Sequence, residues 1–264
     1  MNWNFTGIFF LLLMIWGISD RAEIFDLAVK ELELSLGDVC KSHGIDHAKQ
    51  VLDHVQRALE VHQGDLDEER QILVLLAALL HDADDHKFFP KRDDGQTNAE
   101  NILKVISNQS ITSDQIEFVM HLIDLVSCSK NHNTVPEEAI KSPEILYPRY
   151  ADRLEAIGEI GVMRCYQYNK TKGSPLFVST TPKPTTEEEL NSFLDNERFM
   201  KYDGNSNSMI DHYYDKLLHL ATFSSGNSYL DNEASKRAQI MKDVCLYYGQ
   251  HGKLHPIFNE EQKN

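Results

Sequence analysis

The sequence predicts an all-α fold. From Asp20 onward the apolar residues recur at the i, i+3, i+4, i+7 spacing of packed helices, and no run of alternating residues argues for a sheet. The chain has 264 residues, of which 41% are hydrophobic, enough for one domain with a substantial core.

Taken in order, residues 22–36 (AEIFDLAVKELELSL) carry a roughly amphipathic apolar set at 24, 25, 27, 28, 32 and 34. Residues 44–63 (GIDHAKQVLDHVQRALEVHQ) place apolar residues at 48, 51, 52, 55, 58 and 59, one face of a helix. Residues 67–83 (DEERQILVLLAALLHDA) are apolar almost all round, which predicts a central, buried helix. Residues 113–127 open on Ser113 as the cap signal and continue apolar at 116, 119, 120, 123 and 126. Residues 143–168 (PEILYPRYADRLEAIGEIGVMRCYQY) predict a long helix bent near Pro148. Residues 208–221 put Met209, Ile210, Tyr213, Tyr214, Leu217, Leu218 and Ala221 on one stripe. A last helix over 231–252 ends near Gly249 or Gly252. Two stretches interrupt the pattern: the polar segment 90–101, and a long irregular insertion near 169–208, rich in Thr, Pro, Lys and Asn.

The near-continuous apolar run from Phe5 to Ile18 is short for a membrane span, which needs about 20 residues, and suits the h-region of a signal peptide or an anchor. No Lys or Arg precedes it. Residues 1–19 are therefore set apart, with a single domain over 20–255 and a tail over 256–264. The location is expected to be secretory or membrane-anchored if that run is a signal, and cytoplasmic otherwise. Cys40, Cys128, Cys165 and Cys245 are scattered without a CxxC, which argues against thiolate metal sites and a dense disulfide framework. The formal charge of −15 argues against a nucleic-acid partner, and a phosphorylated ligand would need a local cation cluster or a metal.

Four residues stand out together: His47, the adjacent pair His81–Asp82, and Asp152, each within or at the end of a strongly striped helix. An imidazole or carboxylate beside such packing needs a partner, because burial without one is costly. Two imidazoles and two carboxylates form a coherent set for one divalent ion, with positions left for water and a phosphate oxygen.

The order His, His-Asp, Asp on successive helices resembles the HD-domain metal-dependent phosphohydrolases. HGIDHAKQV (43–51) is similar to that family's first-ligand helix, LLHDADDHK (79–87) to its name-giving pair, and ADRLEAIGEIGVMR (151–164) to its last-ligand helix. SMIDHYYDKLLHL is similar to a late helix of one branch, the bacterial stand-alone HD nucleoside triphosphate pyrophosphohydrolases. Gly44 and Gln50 depart from the Asp and Arg of the usual first motif, which puts a support to that helix or to substrate in doubt; His47 is kept.

The resemblance implies one divalent metal, Mn before Mg, Ni, Co, Fe or Zn, held by His47, His81, Asp82 and Asp152. Asp85, three residues after Asp82 on a continuing helical turn, matches an acidic position of the branch and is the expected general base or water-orienting group. Lys87 and Lys216 match branch lysines and are expected to contact phosphate. Arg153 either joins them or pairs with Glu155 or another carboxylate, while Lys91 and Arg92 are read as surface charges. His43, His54 and His86 are expected around the site or on the surface, not as ligands of a second ion.

The implied activity is cleavage of (deoxy)nucleoside triphosphates to monophosphate and pyrophosphate. The alternatives are a nucleoside 5'-monophosphatase or phosphodiesterase on the same metal, and a nucleotide-binding regulatory protein with little turnover. A homodimer is an expected assembly. Sequons at Asn108 and Asn169 matter only for an exported chain.

Overall fold

The structure is a computed structural model that describes residues 5–36, 44–84, 97–107, 111–194 and 196–258. Asp85, His86, Lys87, Lys91 and Arg92 lie outside the described residues, as do Cys40, His43 and the Asn108 sequon. Among the described residues every regular element is helical, as the spacing predicts. The chain divides into two compact units, Met1–Leu52 with Gly64–Asp124, and Asp53–Gln63 with Leu125–Asn264.

The first unit holds α1 (Phe5–Leu36), the opening turns of α2 (Ile45–Glu60), α3 (Glu68–Leu80), α4 (Asn98–Ser107) and most of α5 (Ser113–Val126). α1 runs without a break across residue 19, so the apolar N-terminal run and the amphipathic segment after it form one helix. No helix among the described residues is long and apolar enough to cross a membrane. α1 packs on α3 and α4, burying Ile24, Ala28, Leu32 and Leu36; Leu34 points to solvent, so its buried stripe is narrower than the predicted one.

α3 starts where the Asp67 carboxylate accepts the N–H of Arg70 at 2.7 Å, a side-chain cap for a first-turn donor. Every residue from Leu73 to Leu80 is then buried, which a central helix requires. The α5 cap is Thr112, not Ser113. Gln115 N–H donates to Thr112 Oγ1 at 3.3 Å and the Gln115 side chain accepts from Thr112 N–H at 2.6 Å, a reciprocal capping box. Position before the apolar stripe points to Ser113, but the box needs the Gln three residues after the cap.

The second unit holds the rest of α2, then α6 (Cys128–Asn131), α7 (Glu137–Lys141), α8 (Tyr147–Ala156), α9 (Gly158–Lys172), α10 (Glu187–Ser192), α11 (Asn196–Met200), α12 (Met209–His212), α13 (Leu218–Ala221) and α14 (Ser228–His251). α14 packs on α8, α9, α10 and α13.

The predicted long helix over 143–168 is instead a 3-10 turn at Pro143–Leu146 and two helices, α8 and α9, parted at Ile157. Pro148 lies in the first turn of α8, where its missing N–H costs nothing, so it starts a helix and bends none. The break comes at Gly158, whose φ of +74° an L side chain rarely adopts.

The stripe over 208–221 is buried at all seven predicted positions. Its middle turn, Tyr213–Leu217, is π-helical and joins α12 to α13. The irregular insertion begins at Gly173, because residues 169–172 complete α9. It is tied down at both ends: Met209 and Ile210 N–H groups donate to the Pro175 and Leu176 carbonyls, and the Pro184 carbonyl lies against Gly249 of α14. α14 passes through Gly249 and ends at Gly252, which takes the left-handed conformation of a helix C-cap.

Candidate metal centre

α2 and the end of α3 carry the site. His47 is buried near the start of α2, on the same face as Ala48 and Val51. α3 stops at Leu80, so His81 is its C-cap and residues 81–84 form a tight turn, with Ala83 N–H bonded to the Leu80 carbonyl at 3.0 Å. Residues 81–84 are a turn and not a continuing α-helix, and Asp85 lies outside the described residues.

The turn aims both donors at one point. His81 Nδ1 donates to the Ala78 carbonyl at 2.8 Å, which in the neutral ring leaves the lone pair on Nε2. That Nε2 stands 3.5 Å from Asp82 Oδ2, and His47 Nε2 stands 3.6 Å from the same oxygen. The two rings meet edge to face with centroids 5.2 Å apart. One donor atom each from His47, His81 and Asp82 falls within 4.8 Å of the others.

These spacings exceed those of good hydrogen bonds. Ligands that each sit about 2.0–2.2 Å from one ion stand roughly 3–4 Å apart. Two imidazole nitrogens and a carboxylate oxygen, with one ring already oriented through its other nitrogen, thus fit a divalent metal by donor chemistry and by spacing.

Asp84 acts beside the site. Its Oδ1 accepts the Asn98 N–H at 2.6 Å and its Oδ2 the Ala99 N–H at 3.0 Å, so it caps α4. Asn98 returns its side-chain amide to the Ala83 carbonyl at 2.9 Å. No role for Asp84 is legible in the residue order, because the capped helix starts 14 residues further on.

Of the four residues predicted to hold the metal, the structure brings together His47, His81 and Asp82. Asp152 lies half-buried on α8 in the second unit. Arg153 does not pair with Glu155: it is buried and donates from Nη2 to the His132 carbonyl at 2.7 Å. Glu155 instead meets His54 Nε2 at 3.0 Å and Arg237 Nη1 at 3.1 Å. Burial raises the Glu155 carboxyl, but hydrogen bonds from His54 and Arg237 and the Arg237 charge outweigh it and hold the group below the ordinary range. His54, expected near the site or on the surface, is a buried member of this network, with Nδ1 at 2.6 Å from the Tyr229 hydroxyl.

Lys216 is half-buried in the π turn, its ammonium 5.7 Å from the Tyr202 ring centre. The described cysteines, Cys128, Cys165 and Cys245, are free thiols. The Asn169 side-chain amide bonds back to the Cys165 carbonyl at 2.8 Å within α9, a helical setting unlike the surface loop of a glycosylation acceptor.

The described fold is all-helical, and it brings the His, His-Asp triad to one point. The chain belongs to one family with the uncharacterized protein L803 of Acanthamoeba polyphaga mimivirus, being 37% identical over 243 residues, 87% of this chain and 96% of that protein. No protein-family model matches the chain.

The fold is shared with solved structures. A Lactobacillus plantarum protein superimposes with a TM-score of 0.61 at 21% identity, over 87% of this chain and 97% of that one. An HD-superfamily hydrolase from Bacillus thuringiensis gives 0.53 at 19%, over 85% and 93%. Bacillus subtilis YpgQ in complex with ADP gives 0.53 at 19%, over 85% and 95%.

Proposed function

We propose that the protein is a metal-dependent phosphohydrolase acting on nucleotides, and that it cleaves (deoxy)nucleoside triphosphates to monophosphate and pyrophosphate. The convergence of His47, His81 and Asp82 at one point carries the reading, within a fold shared with a hydrolase and with a protein crystallised with ADP.

His47, His81 and Asp82 would hold the ion, with Asp152 as the fourth ligand on the strength of the resemblance; Mn is the first candidate. When bound there, a divalent ion supplies Lewis acidity toward a phosphoryl oxygen and acidifies a coordinated water. The chain's own share is orientation and charge. The Ala78 carbonyl fixes the His81 ring, and the cap by Asp84 on α4 holds the turn that carries Asp82. Asp85 is the proposed base, and Lys87, Arg153 and Lys216 the proposed phosphate contacts.

The test is a panel of nucleoside tri-, di- and monophosphates incubated with the protein and Mn2+, with separation of products. Pyrophosphate released from triphosphates, and lost in Asp82→Ala at wild-type helical content, is the expected result. Orthophosphate from monophosphates would replace this reading with the monophosphatase one. Binding without turnover for every metal tried would replace it with the regulatory one.

A further inference from the structure

Arg149 and Arg153 stand one turn apart on α8 and are buried to 1% and 3% exposure. Their bonds go to backbone carbonyls alone. Arg149 Nε donates to Leu125 at 2.6 Å and Nη1 to Thr134 at 2.7 Å, while Arg153 Nη2 donates to His132 at 2.7 Å. Arg149 Nη2 and Arg153 Nε are buried donors with no partner. Among the described residues no carboxylate forms an ion pair with either guanidinium.

Two half-buried arginines elsewhere in the chain are paired with carboxylates. Arg198 meets Asp211 and Asp215, and Arg237 meets Glu155 and Glu233. A sequence with 41 acidic and 26 basic residues has acids to spare, yet among the described residues none is ion-paired with its two most buried guanidiniums. Two like charges side by side in a buried setting are costly without a counter-charge. Burial and then the neighbouring Arg153 push the Arg149 guanidinium down to about 10. Three carbonyls satisfy geometry, but they carry no net charge.

We infer that Arg149 and Arg153 form an anion site that takes a phosphate-type oxyanion, with Arg149 Nη2 and Arg153 Nε as its waiting donors. The planar guanidinium fork matches phosphate oxygens, and charge-assisted bonds of this kind are about twice as strong as neutral ones. The segment over the pair contains His132, which adopts φ 49° and ψ −129°, a sparsely populated conformation for a residue with a side chain. Its carbonyl is the partner that an incoming oxyanion would displace from Arg153. The choice of phosphate as occupant rests on the phosphohydrolase reading; the lack of an ion-pair partner among the described residues does not.

The full chain is titrated with inorganic pyrophosphate in EDTA, with ADP and adenosine as phosphate-bearing and phosphate-free comparisons, by calorimetry and thermal shift. Expected are metal-independent binding of pyrophosphate and ADP, no response to adenosine, and a loss in affinity of about tenfold in Arg149→Lys and Arg153→Lys. Cys128→Ser, which removes a thiol close to both guanidiniums, should leave the binding intact.

Equal pyrophosphate affinity in the lysine variants, or no binding to the wild type in EDTA, overturns the inference. Should the lysine variants not fold, wild-type crystals soaked in tungstate decide. An anomalous peak within hydrogen-bond reach of both guanidiniums supports the site, and its absence there overturns it. Turnover in Mn2+ is scored separately, so binding that survives with no hydrolysis sinks the proposed function alone.

Discussion

The Asp84 carboxylate accepts the backbone N–H groups of Asn98 and Ala99, and so closes the start of α4 onto the turn that carries His81 and Asp82. The first N–H groups of a helix have no partner within it, and a carboxylate there gains both hydrogen bonds and a favourable dipole. Asp84→Ala is expected to cost about 1–2 kcal/mol in urea unfolding, with Asp84→Asn losing less. Equal stability of Asp84→Ala and wild type would remove the cap from the account of the site.

Metal binding should depend on each member of the triad. His81→Ala and Asp82→Ala are each predicted to weaken Mn2+ binding by at least ~100-fold, more than the tenfold to hundredfold ordinarily lost with an outer-shell partner. Calorimetric titration and the Mn2+ resonance signal measure it. Retention of wild-type affinity by either variant would show that the converging donors serve only packing.

Acid stability should register the Glu155 network. The folded-state pKa of Glu155 is held below its ordinary 4.5 by His54 and Arg237 against the effect of burial. A depressed carboxylate contributes stability that is fully present above the unfolded-state pKa and is lost as pH falls through the folded-state value. Glu155→Gln is therefore expected to be less stable than wild type at pH 7, and to lose less stability on acidification below about 4.5. Parallel stability curves for the two proteins between pH 6 and pH 3 would contradict the linkage.

Two glycines should differ in their tolerance of a methyl group. A Cβ on Gly158 would meet Arg237 Cγ at 2.8 Å, at a φ of +74°. A Cβ on Gly249 would meet the Pro184 carbonyl oxygen at 1.7 Å. The Arg237 contacts are stem atoms, Cγ at 2.8 Å and Cβ at 3.0 Å, which need a shift of a few tenths of an ångström, whereas the far closer Pro184 carbonyl moves only with its whole segment. Gly158→Ala should cost roughly 1–3 kcal/mol, mainly for its backbone conformation, and Gly249→Ala should cost more. Thermal unfolding of both variants ranks them.

Much of this protein was legible from residue spacing. Apolar periodicity located α2, α3, α5 and the 208–221 stripe, because a helix that must bury one face repeats its apolar residues at the helical period. Chemistry and order singled out His47, His81 and Asp82, because imidazole and carboxylate beside a buried stripe need a partner. Periodicity could not see the end of α3 at Leu80 or the break at Ile157. Both depend on what the chain does next: one closes a turn for two ligands, and the other admits the Arg237 side chain beside Gly158.

What tertiary structure alone decided is who pairs with whom. Spacing makes Arg153 and Glu155 near neighbours and offers them to each other. Packing sends Glu155 to His54 and Arg237, 101 and 82 residues away, and Arg153 to a backbone carbonyl. A helical period sets the face on which a charge stands. The ion-pair partner it meets comes from whichever helix is packed there, and for Arg149 and Arg153 the described residues supply none. The sequence by itself thus determined a helical protein with a His, His-Asp metal motif. The folded chain decided which of its buried charges are answered from within, because that depends on contacts between residues far apart in sequence.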